Sequence, residues 1–183
     1  MRTLKYAILG MLSRRELTGY DMMKEFDRGL ANFWYASHSQ LYPELNRLAG
    51  EGLIQYETSI KGESLERKVY RITPEGMADL RQWLEQDEPL PPTPKDVFRL
   101  RMYFGDNISR SRLLELTRAQ LERRRQKLAF LQNSLDHTEP YTSHFDSATG
   151  DRLVLEGAVM RESAMVQWLD HCIETLEHCE SEE

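Results

Sequence analysis

The sequence predicts a mainly α-helical protein with one small β-hairpin, built as an N-terminal winged helix-turn-helix and a C-terminal helical dimerisation bundle. Two observations support this fold class. In the first half, three helical segments precede two β-rich runs, which are followed by a fourth helix. In the second half, leucines recur every seven residues along two long segments, which is typical of helices that pack against helices.

The first two helices are predicted to be short and amphipathic. Helix one extends from about Thr3 to Ser13, with apolar residues at helical spacing. Helix two begins after Thr18, because threonine is a good N-cap and Asp21 stands three positions later, as in a capping box. The apolar residues of its buried face are Met22, Met23, Phe26 and Leu30.

The third helix, from about Ser37 to Leu48, has the pattern of a DNA-reading helix. Three leucines at i, i+4 and i+7 form one buried stripe, at Leu41, Leu45 and Leu48. The opposite face presents side chains that hydrogen-bond to base edges and phosphates. These candidate DNA contacts are Gln40, Tyr42, Asn46 and Arg47.

A β-hairpin wing follows the third helix. Two β-rich runs, 53–60 and 65–73, flank a turn at 61–63. Its basic residues are Lys61, Arg67, Lys68 and Arg71. A basic ribbon beside a groove-entering helix is typical of a DNA reader. Charge on a hairpin also protects sheet edges against aggregation, so the basic residues alone do not decide the function.

Proline marks the division between two domains. Thr73 and Pro74 start the fourth helix, as an N-cap followed by proline at the first helical position. Four prolines then occur within 89–94, and no regular helix crosses such a segment. The sequence therefore predicts a winged-helix DNA-binding domain over 1–88, a stiff linker over 89–94, and a helical dimerisation and effector domain over 95–183.

After a short helix at about 95–104, the second domain is predicted to consist mainly of two long helices. They extend over 109–137 and 153–180, with a loop over 139–150 between them. Glu162 interrupts the leucine series of the last helix, and Thr117 and Arg124 interrupt the heptad pattern of the helix over 109–137. These polar interruptions favour a mixed bundle over a lone parallel zipper. The heptad residues expected to pack within and between protomers are Leu121, Leu128, Leu169 and Leu176.

Charge and composition narrow the function classes. The chain has 183 residues, of which 30% are charged, as expected for a folded globular protein. Residues 1–86 have 12 Lys and Arg against 12 Asp and Glu, whereas residues 87–183 have 12 against 18, so the net charge of −6 lies in the second half. A neutral first half weighs against very tight non-specific DNA binding, and any basic patch must come from local arrangement.

Other function classes lack their sequence signals. No apolar run approaches 18 residues, and Lys5 interrupts the apolar N-terminus, so we expect a cytoplasmic protein without a membrane span. Cys172 and Cys179 are seven residues apart, too far along a helix to share an ion, so we predict packed, reduced thiols and neither metal nor cofactor. The absence of a glycine-rich phosphate loop, a nucleophile elbow and a metal-spaced His/Glu pair predicts that the protein is not an enzyme.

Several motifs of the first half occur together: Leu4-Lys-Tyr-Ala-Ile-Leu-Gly-Met-Leu12, Leu17-Thr-Gly-Tyr-Asp21, Phe33-Trp34, Ser37-His-Ser-Gln-Leu-Tyr-Pro-Glu-Leu45, Glu51-Gly52 and Tyr70-Arg-Ile-Thr73. In this combination they resemble the PadR family of transcriptional regulators. The resemblance implies a homodimer that binds an inverted-repeat operator in double-stranded DNA and blocks transcription. The DNA contacts that it implies are Ser39, Gln40 and Tyr42 on the third helix and Lys61, Arg67 and Lys68 on the wing.

The second half resembles the phenolic-acid-responsive branch of that family, which implies release from DNA by an acid such as p-coumarate. Aromatic side chains can stack on a phenolic ring, and an arginine can hold its carboxylate. The candidate effector residues are Phe98, Tyr103, Arg152 and Trp168. Interface packing is the alternative role for them. The segment 150–152 departs from that branch, and other branches respond to multidrug cations or to no known ligand. A winged helix that binds another protein, without operator or effector, is the alternative function.

Overall fold

The computed structural model describes residues 2–28, 34, 36–60, 66–90 and 92–179. The chain divides into two units, Met1–Leu90 and Pro91–Glu183, at a point inside the proline-rich segment. The elements of the first unit are α1 (Thr3–Arg14), β1 (Leu17–Thr18), α2 (Gly19–Arg28), α3 (His38–Gly50), β2 (Ile54–Ile60), β3 (Glu66–Ile72) and α4 (Pro74–Leu84). Those of the second are α5 (Val97–Tyr103), a 3-10 turn (Gly105–Asn107), α6 (Arg110–Asp136) and α7 (Ser147–His178).

The mainly helical winged-helix fold is confirmed, with one strand more than the sequence predicts. Antiparallel strands in the order β1-β3-β2 form the sheet, and Leu17 and Thr18 of β1 pair with Tyr70 and Val69 of β3. A strand of two residues has no detectable periodicity, so the sequence predicts Thr18 only as a helix cap. It performs both roles, because Asp21 N–H donates to Thr18 Oγ1 at 3.1 Å.

The core of the first unit lies under α3. The leucine stripe at 41, 45 and 48 is fully buried, as predicted. It packs with apolar residues of α1, α2 and the sheet, among them Ile8, Leu9, Met22, Phe26 and Ile54. Burial of this stripe fixes the rotation of α3, so its polar face points away from the core.

Two glycines shape the connection from α3 through the wing to α4. Gly52 has a φ of +72°, the left-handed conformation that glycine adopts without steric cost, and it follows the end of α3. Thr73 caps α4 by accepting from Gly76 N–H at 3.1 Å, and its hydroxyl donates to the carbonyl of Gly52 at 2.7 Å. A Cβ at Gly76 would lie 2.0 Å from the carbonyl oxygen of Leu53, so only glycine allows this close backbone approach.

In the second unit, α6 and α7 form an antiparallel pair, as the ion pairs Arg118–Glu177 and Arg125–Asp170 indicate. The last helix begins at Ser147 rather than at Leu153, because Asp146 accepts from Thr149 N–H at 2.8 Å and caps it. The predicted loop over 139–150 is therefore too long. Seven Lys and Arg against three Asp and Glu make α6 basic, and two against six make α7 acidic.

The polar residues that interrupt the heptads lie inside this pair. Thr117 is fully buried, and its hydroxyl donates to the carbonyl of Leu113 at 2.8 Å. Glu162 is also buried, and Arg124 Nη1 donates to its two oxygens at 3.0 and 3.2 Å. Lys127 Nζ lies 3.7 Å from the same carboxylate. Arg124 and Glu162 are thus paired across the two helices, which specifies their register, whereas Thr117 bonds within α6.

Candidate nucleic-acid interface

The exposed face of α3 offers two groups of polar side chains. Ser39, Tyr42 and Asn46 are exposed and recur at i, i+3 and i+7, so they share one side of the helix. Gln40 and Arg47 lie nearer the edge where Glu44 is buried. All five predicted contacts therefore lie outside the core, but they do not form a single row.

Gln40 stabilises the start of α3. Its Oε1 accepts from Ser37 N–H at 3.1 Å and from the Ser37 hydroxyl at 3.2 Å. This is half of a capping box, in which the third helical side chain satisfies the backbone of the N-cap. The side-chain oxygen of Gln40 is thus engaged, and its amide NH₂ is the group that it can offer to a base. A DNA contact by Gln40 stays a prediction.

Arg2, which the sequence did not single out, neutralises acidic groups at the edge of α3. Its guanidinium contacts Glu44 Oε1 at 2.6 Å and Glu51 Oε1 at 2.6 Å. The hydrogen bond from Arg2 lowers the pKa of Glu51 below its usual value. Arg47 Nη1 lies 3.9 Å from Glu44 Oε2 and stays largely exposed, so its charge remains accessible to a phosphate.

Tyr42 is a large exposed side chain on the outer face of α3, with 45% of its surface accessible. Its ring lies nearly parallel to that of His38, one turn earlier, with 6.3 Å between centroids and 16° between planes. On another side it packs against the start of α2 at Gly19. The ring therefore contacts both His38 and Gly19 while part of it stays exposed.

The wing continues this surface through tyrosines. Tyr56 pairs with Tyr70 and Thr58 with Lys68, so all four side chains lie on the same face of the sheet. Lys68 Nζ lies 4.1 Å from the centre of the Tyr56 ring, a cation–π contact, and the Tyr56 and Tyr70 centroids are 5.5 Å apart. We call Ser39, Tyr42 and Asn46 of α3, together with Tyr56 and Lys68, the helix–wing surface.

Tyr70 connects the two parts of the helix–wing surface. Burial raises the pKa of its hydroxyl; the nearby Lys68 opposes this effect, and Tyr42 and Tyr56 add to it. Tyr42 packs at Gly19, next to Thr18, which pairs with Val69 of β3, and Tyr56 pairs with Tyr70, so the helix and wing parts meet near Tyr70. The sequence does not predict a role for Tyr56; alternation along the strand indicates only that it shares a face with Thr58.

The other basic residues of the hairpin differ in position. Arg67 precedes Lys68 and so lies on the opposite face of the sheet. The pKa of Asp21 is lowered mainly by a hydrogen bond from the Thr18 hydroxyl, and the charge of Arg67 lowers it further. Arg71 is paired with Glu57, with 2.8 Å between Nη2 and Oε1. Lys61 lies outside the described residues.

Two of the candidate effector residues meet in the second unit. Phe98 and Trp168 pack edge to face, with 6.1 Å between centroids, and the guanidinium of Arg99 lies 5.6 Å from the Trp168 ring centre. Tyr103 is 80% exposed and contacts Phe104 instead. Phe33 of the Phe33-Trp34 motif lies outside the described residues.

Arg152 belongs to a different cluster. It precedes Trp168 by 16 residues on α7, which corresponds to about 24 Å of helix. Its Nε donates to Glu156 Oε1 at 3.0 Å, and its guanidinium lies 5.1 Å from the centre of the Tyr141 ring. The Tyr141 hydroxyl donates to the other Glu156 oxygen, which raises the tyrosine pKa. Within a single chain, Arg152 and Trp168 therefore lie far apart.

The predicted dimerisation residues pack inside the chain's own α6–α7 pair. Leu121 and Leu169 are buried, and Leu128 and Leu176 are half-buried. A different set, Leu153, Gly157, Met160 and Ala164, recurs at helical spacing along α7. Met160 in this set is 70% exposed and Leu153 is 48% exposed, so an apolar stripe faces outward.

The remaining sequence expectations concern membranes, metals and thiols. Within the described ranges, no helix is both long and apolar enough to cross a membrane. The same residues contain no group of three or more His, Cys, Asp or Glu side chains that could hold a metal ion. Cys172 is half-buried and Cys179 is exposed, so the prediction of two packed thiols is wrong for Cys179, which follows the last turn of α7.

Comparison with known proteins assigns the family. The model of the transcriptional regulator PadR-like family matches residues 8–82, and the model of the virulence activator alpha C-terminal region matches 94–177. The negative transcriptional regulator PadR of Bacillus subtilis (strain 168) is 44% identical over 175 residues, which cover 93% of this chain and 95% of the relative.

Solved structures agree over nearly the whole chain. Bacillus subtilis PadR in complex with operator DNA matches with a TM-score of 0.91 and 42% identity, covering 96% of this chain and 99% of that chain. The same protein in complex with p-coumaric acid matches with a TM-score of 0.86 and 39% identity, covering 97% and 100%. The chain therefore belongs to the PadR-like family of transcriptional regulators.

Proposed function

We propose that the protein is a homodimeric, cytoplasmic transcriptional repressor that binds an inverted-repeat operator in double-stranded DNA and has no catalytic activity. The observation that carries the proposal is the helix–wing surface: Tyr42 of α3 packs at Gly19, next to the Thr18–Val69 pair of the sheet, and Lys68 adjoins Val69 on the same ribbon. Such a surface supplies hydrogen-bonding groups for base edges and a cation for phosphate. The complex of the B. subtilis relative with operator DNA supports this assignment.

The DNA test uses duplexes selected from a random library by the wild-type protein. We expect an inverted repeat to be enriched, and its affinity to fall steeply with salt. Tyr42→Ala should weaken binding to that duplex by about 1–3 kcal/mol, because a base or phosphate contact is lost. Lys68→Ala should weaken binding to all sequences and reduce the salt slope by about 1.

Lys95→Ala is the matched control for Lys68→Ala, since Lys95 is an exposed lysine of the second unit. It should leave the salt slope unchanged. If no duplex is enriched and binding is insensitive to salt, the alternative of a protein-interaction module is favoured instead.

The effector part of the proposal is an aromatic acid of the phenolic class. The p-coumaric acid complex of the B. subtilis relative supports it, and so does the cluster of Phe98, Trp168 and Arg99. An aromatic pair beside a guanidinium offers a phenolic acid both a stacking surface and a charge partner. We therefore place the effector contacts at Phe98 and Trp168 and treat Tyr103 and Arg152 as separate from them.

Calorimetry and gel shift with p-coumarate, ferulate and a cationic dye test the effector. The acids should bind and release the operator, because an inducer must prefer the DNA-incompetent state. Trp168→Ala should abolish acid binding while operator affinity in the absence of acid is retained. Release by the dye but not by the acids would reject the acid sensor and leave DNA binding intact.

A further inference from the structure

Gly19, at the start of α2, is buried under the ring of Tyr42. A Cβ atom at this position would lie 2.8 Å from Tyr42 Cε1 and 3.1 Å from its Cζ and Oη. Such distances are shorter than van der Waals contact, so the tyrosine ring fills the space that a side chain at residue 19 would need.

Backbone conformation does not explain the glycine. Among the described residues, the one glycine with a positive φ is Gly52, so Gly19 has a conformation that alanine can adopt. It is also the first residue of a helix, where alanine is favoured over glycine. What the position requires is the absence of a side chain.

The atom that an added Cβ would displace belongs to a half-exposed side chain. Tyr42 is not part of the buried core, so an outward shift of its ring would carry it toward solvent and not into packed core side chains. A methyl group at residue 19 would therefore move the ring and leave the leucine stripe of α3 in place. Such a change would alter the DNA-reading face and preserve the fold.

We propose that Gly19 is a positioning residue for operator recognition, which seats the Tyr42 ring against α2 and so fixes the part of the ring that is presented to DNA. The inference rests on the proposed function and adds to it a residue that acts through Tyr42 and not by touching a nucleotide. The stacked His38 ring limits the same side chain from the preceding turn of α3.

The test is the Gly19→Ala variant, titrated with a duplex selected by the wild-type protein. Operator affinity should fall by about tenfold or more, comparable to the loss of one specific contact. The thermal midpoint of unfolding should stay close to that of the wild type. Gly10→Ala is the matched control, because it also replaces a helical glycine and its Cβ would meet nothing within 4 Å. It should leave operator affinity unchanged.

A double-mutant cycle with Tyr42→Ala separates positioning from a general effect on the fold. If Gly19 acts through the tyrosine ring, Gly19→Ala has no further effect on affinity in the Tyr42→Ala background. An equal loss in both backgrounds, wild-type affinity in Gly19→Ala, or loss of cooperative unfolding in that variant would overturn the inference alone. Failure of the wild-type protein to bind any selected duplex would overturn the proposed function and this inference together.

Discussion

Glu44 shows how a single buried charge constrains α3. Its carboxylate is buried, and the guanidinium of Arg2 satisfies it at 2.6 Å. The same guanidinium holds Glu51 beyond the C-terminal end of the helix. An arginine at the start of α1 therefore fixes two points along the element that we propose to read DNA. Burial of an ion pair adds little stability, but removal of one partner leaves an unpaired charge.

We predict that Arg2→Ala lowers the free energy of unfolding by about 1–3 kcal/mol, because a buried acceptor loses its partner. Urea denaturation measures this. Arg15→Ala is the control, since its pair with Glu25 is exposed and should contribute about 0–1 kcal/mol. Equal costs for the two variants would contradict the argument from burial.

The effect of Arg2 should also depend on pH. Arg2 lowers the pKa of Glu51 in the folded state, so that pair contributes its full stability above the usual value of 4.5. The contribution is lost as pH falls through the lowered pKa. The stability difference between wild type and Arg2→Ala should therefore decrease in acid, and a difference that grows below pH 4.5 would be inconsistent with this pairing.

At the scale of elements, the opposite charges of α6 and α7 help to specify how the two helices pair. The basic helix meets the acidic one through exposed ion pairs and through the buried Arg124–Glu162 pair. Exposed pairs of this kind contribute little, whereas the buried pair requires one register, because any slip would leave Glu162 unsatisfied.

We predict that Arg124→Ala destabilises the second unit by about 2–4 kcal/mol, with Lys127 compensating in part for the lost partner. The double variant Arg124→Met with Glu162→Met should recover most of that loss, because it removes both charges and retains apolar volume. Arg118→Ala, which breaks an exposed pair, serves as control. Thermal unfolding measured for all three decides the matter; a double variant no more stable than Arg124→Ala would refute the explanation.

The helices and strands could be predicted from the spacing of apolar residues. The candidate site could be predicted only in part, because it depends on contacts between residues that are distant in the sequence. The leucine stripe of α3 follows from spacing alone, and so does the exposure of Tyr42 on its other side. Spacing cannot show that Gly19 lies under Tyr42 or that Lys68 lies on Tyr56, because tertiary packing creates both contacts. The predicted start of α7 is wrong because the Asp146 cap follows a loop without apolar periodicity, so spacing does not reveal it.

At the scale of the whole molecule, the operator recognition that we propose uses two copies of the chain. A two-fold dimer presents two α3 helices to half-sites about 34 Å apart. The heptad leucines pack within one chain, and Leu169 is fully buried there, so Leu169→Asp would disrupt the chain's own core. We propose that the outward stripe with Met160 and Leu153 contributes to the contact between copies.

We predict that Met160→Asp converts the dimer to a monomer, since the exposed methionine would become a charge buried between copies. Light scattering at micromolar concentration measures the mass, and operator affinity should fall because the half-sites are no longer linked. Phe130→Asp, which changes an exposed apolar residue of α6, is the control. A monomeric wild-type protein would exclude this mode of recognition.

Arg67 and Lys68 leave the wing on opposite faces, which constrains how the hairpin can meet DNA. A ribbon laid flat on the duplex would turn one of the two cations to solvent. We propose that both contact phosphates, which would require the hairpin to enter a groove edge-on, with one sugar–phosphate strand along each face. If the groove that the hairpin enters is the minor groove, which is narrowest in A-tracts, the width of the operator flanks would become part of operator selection.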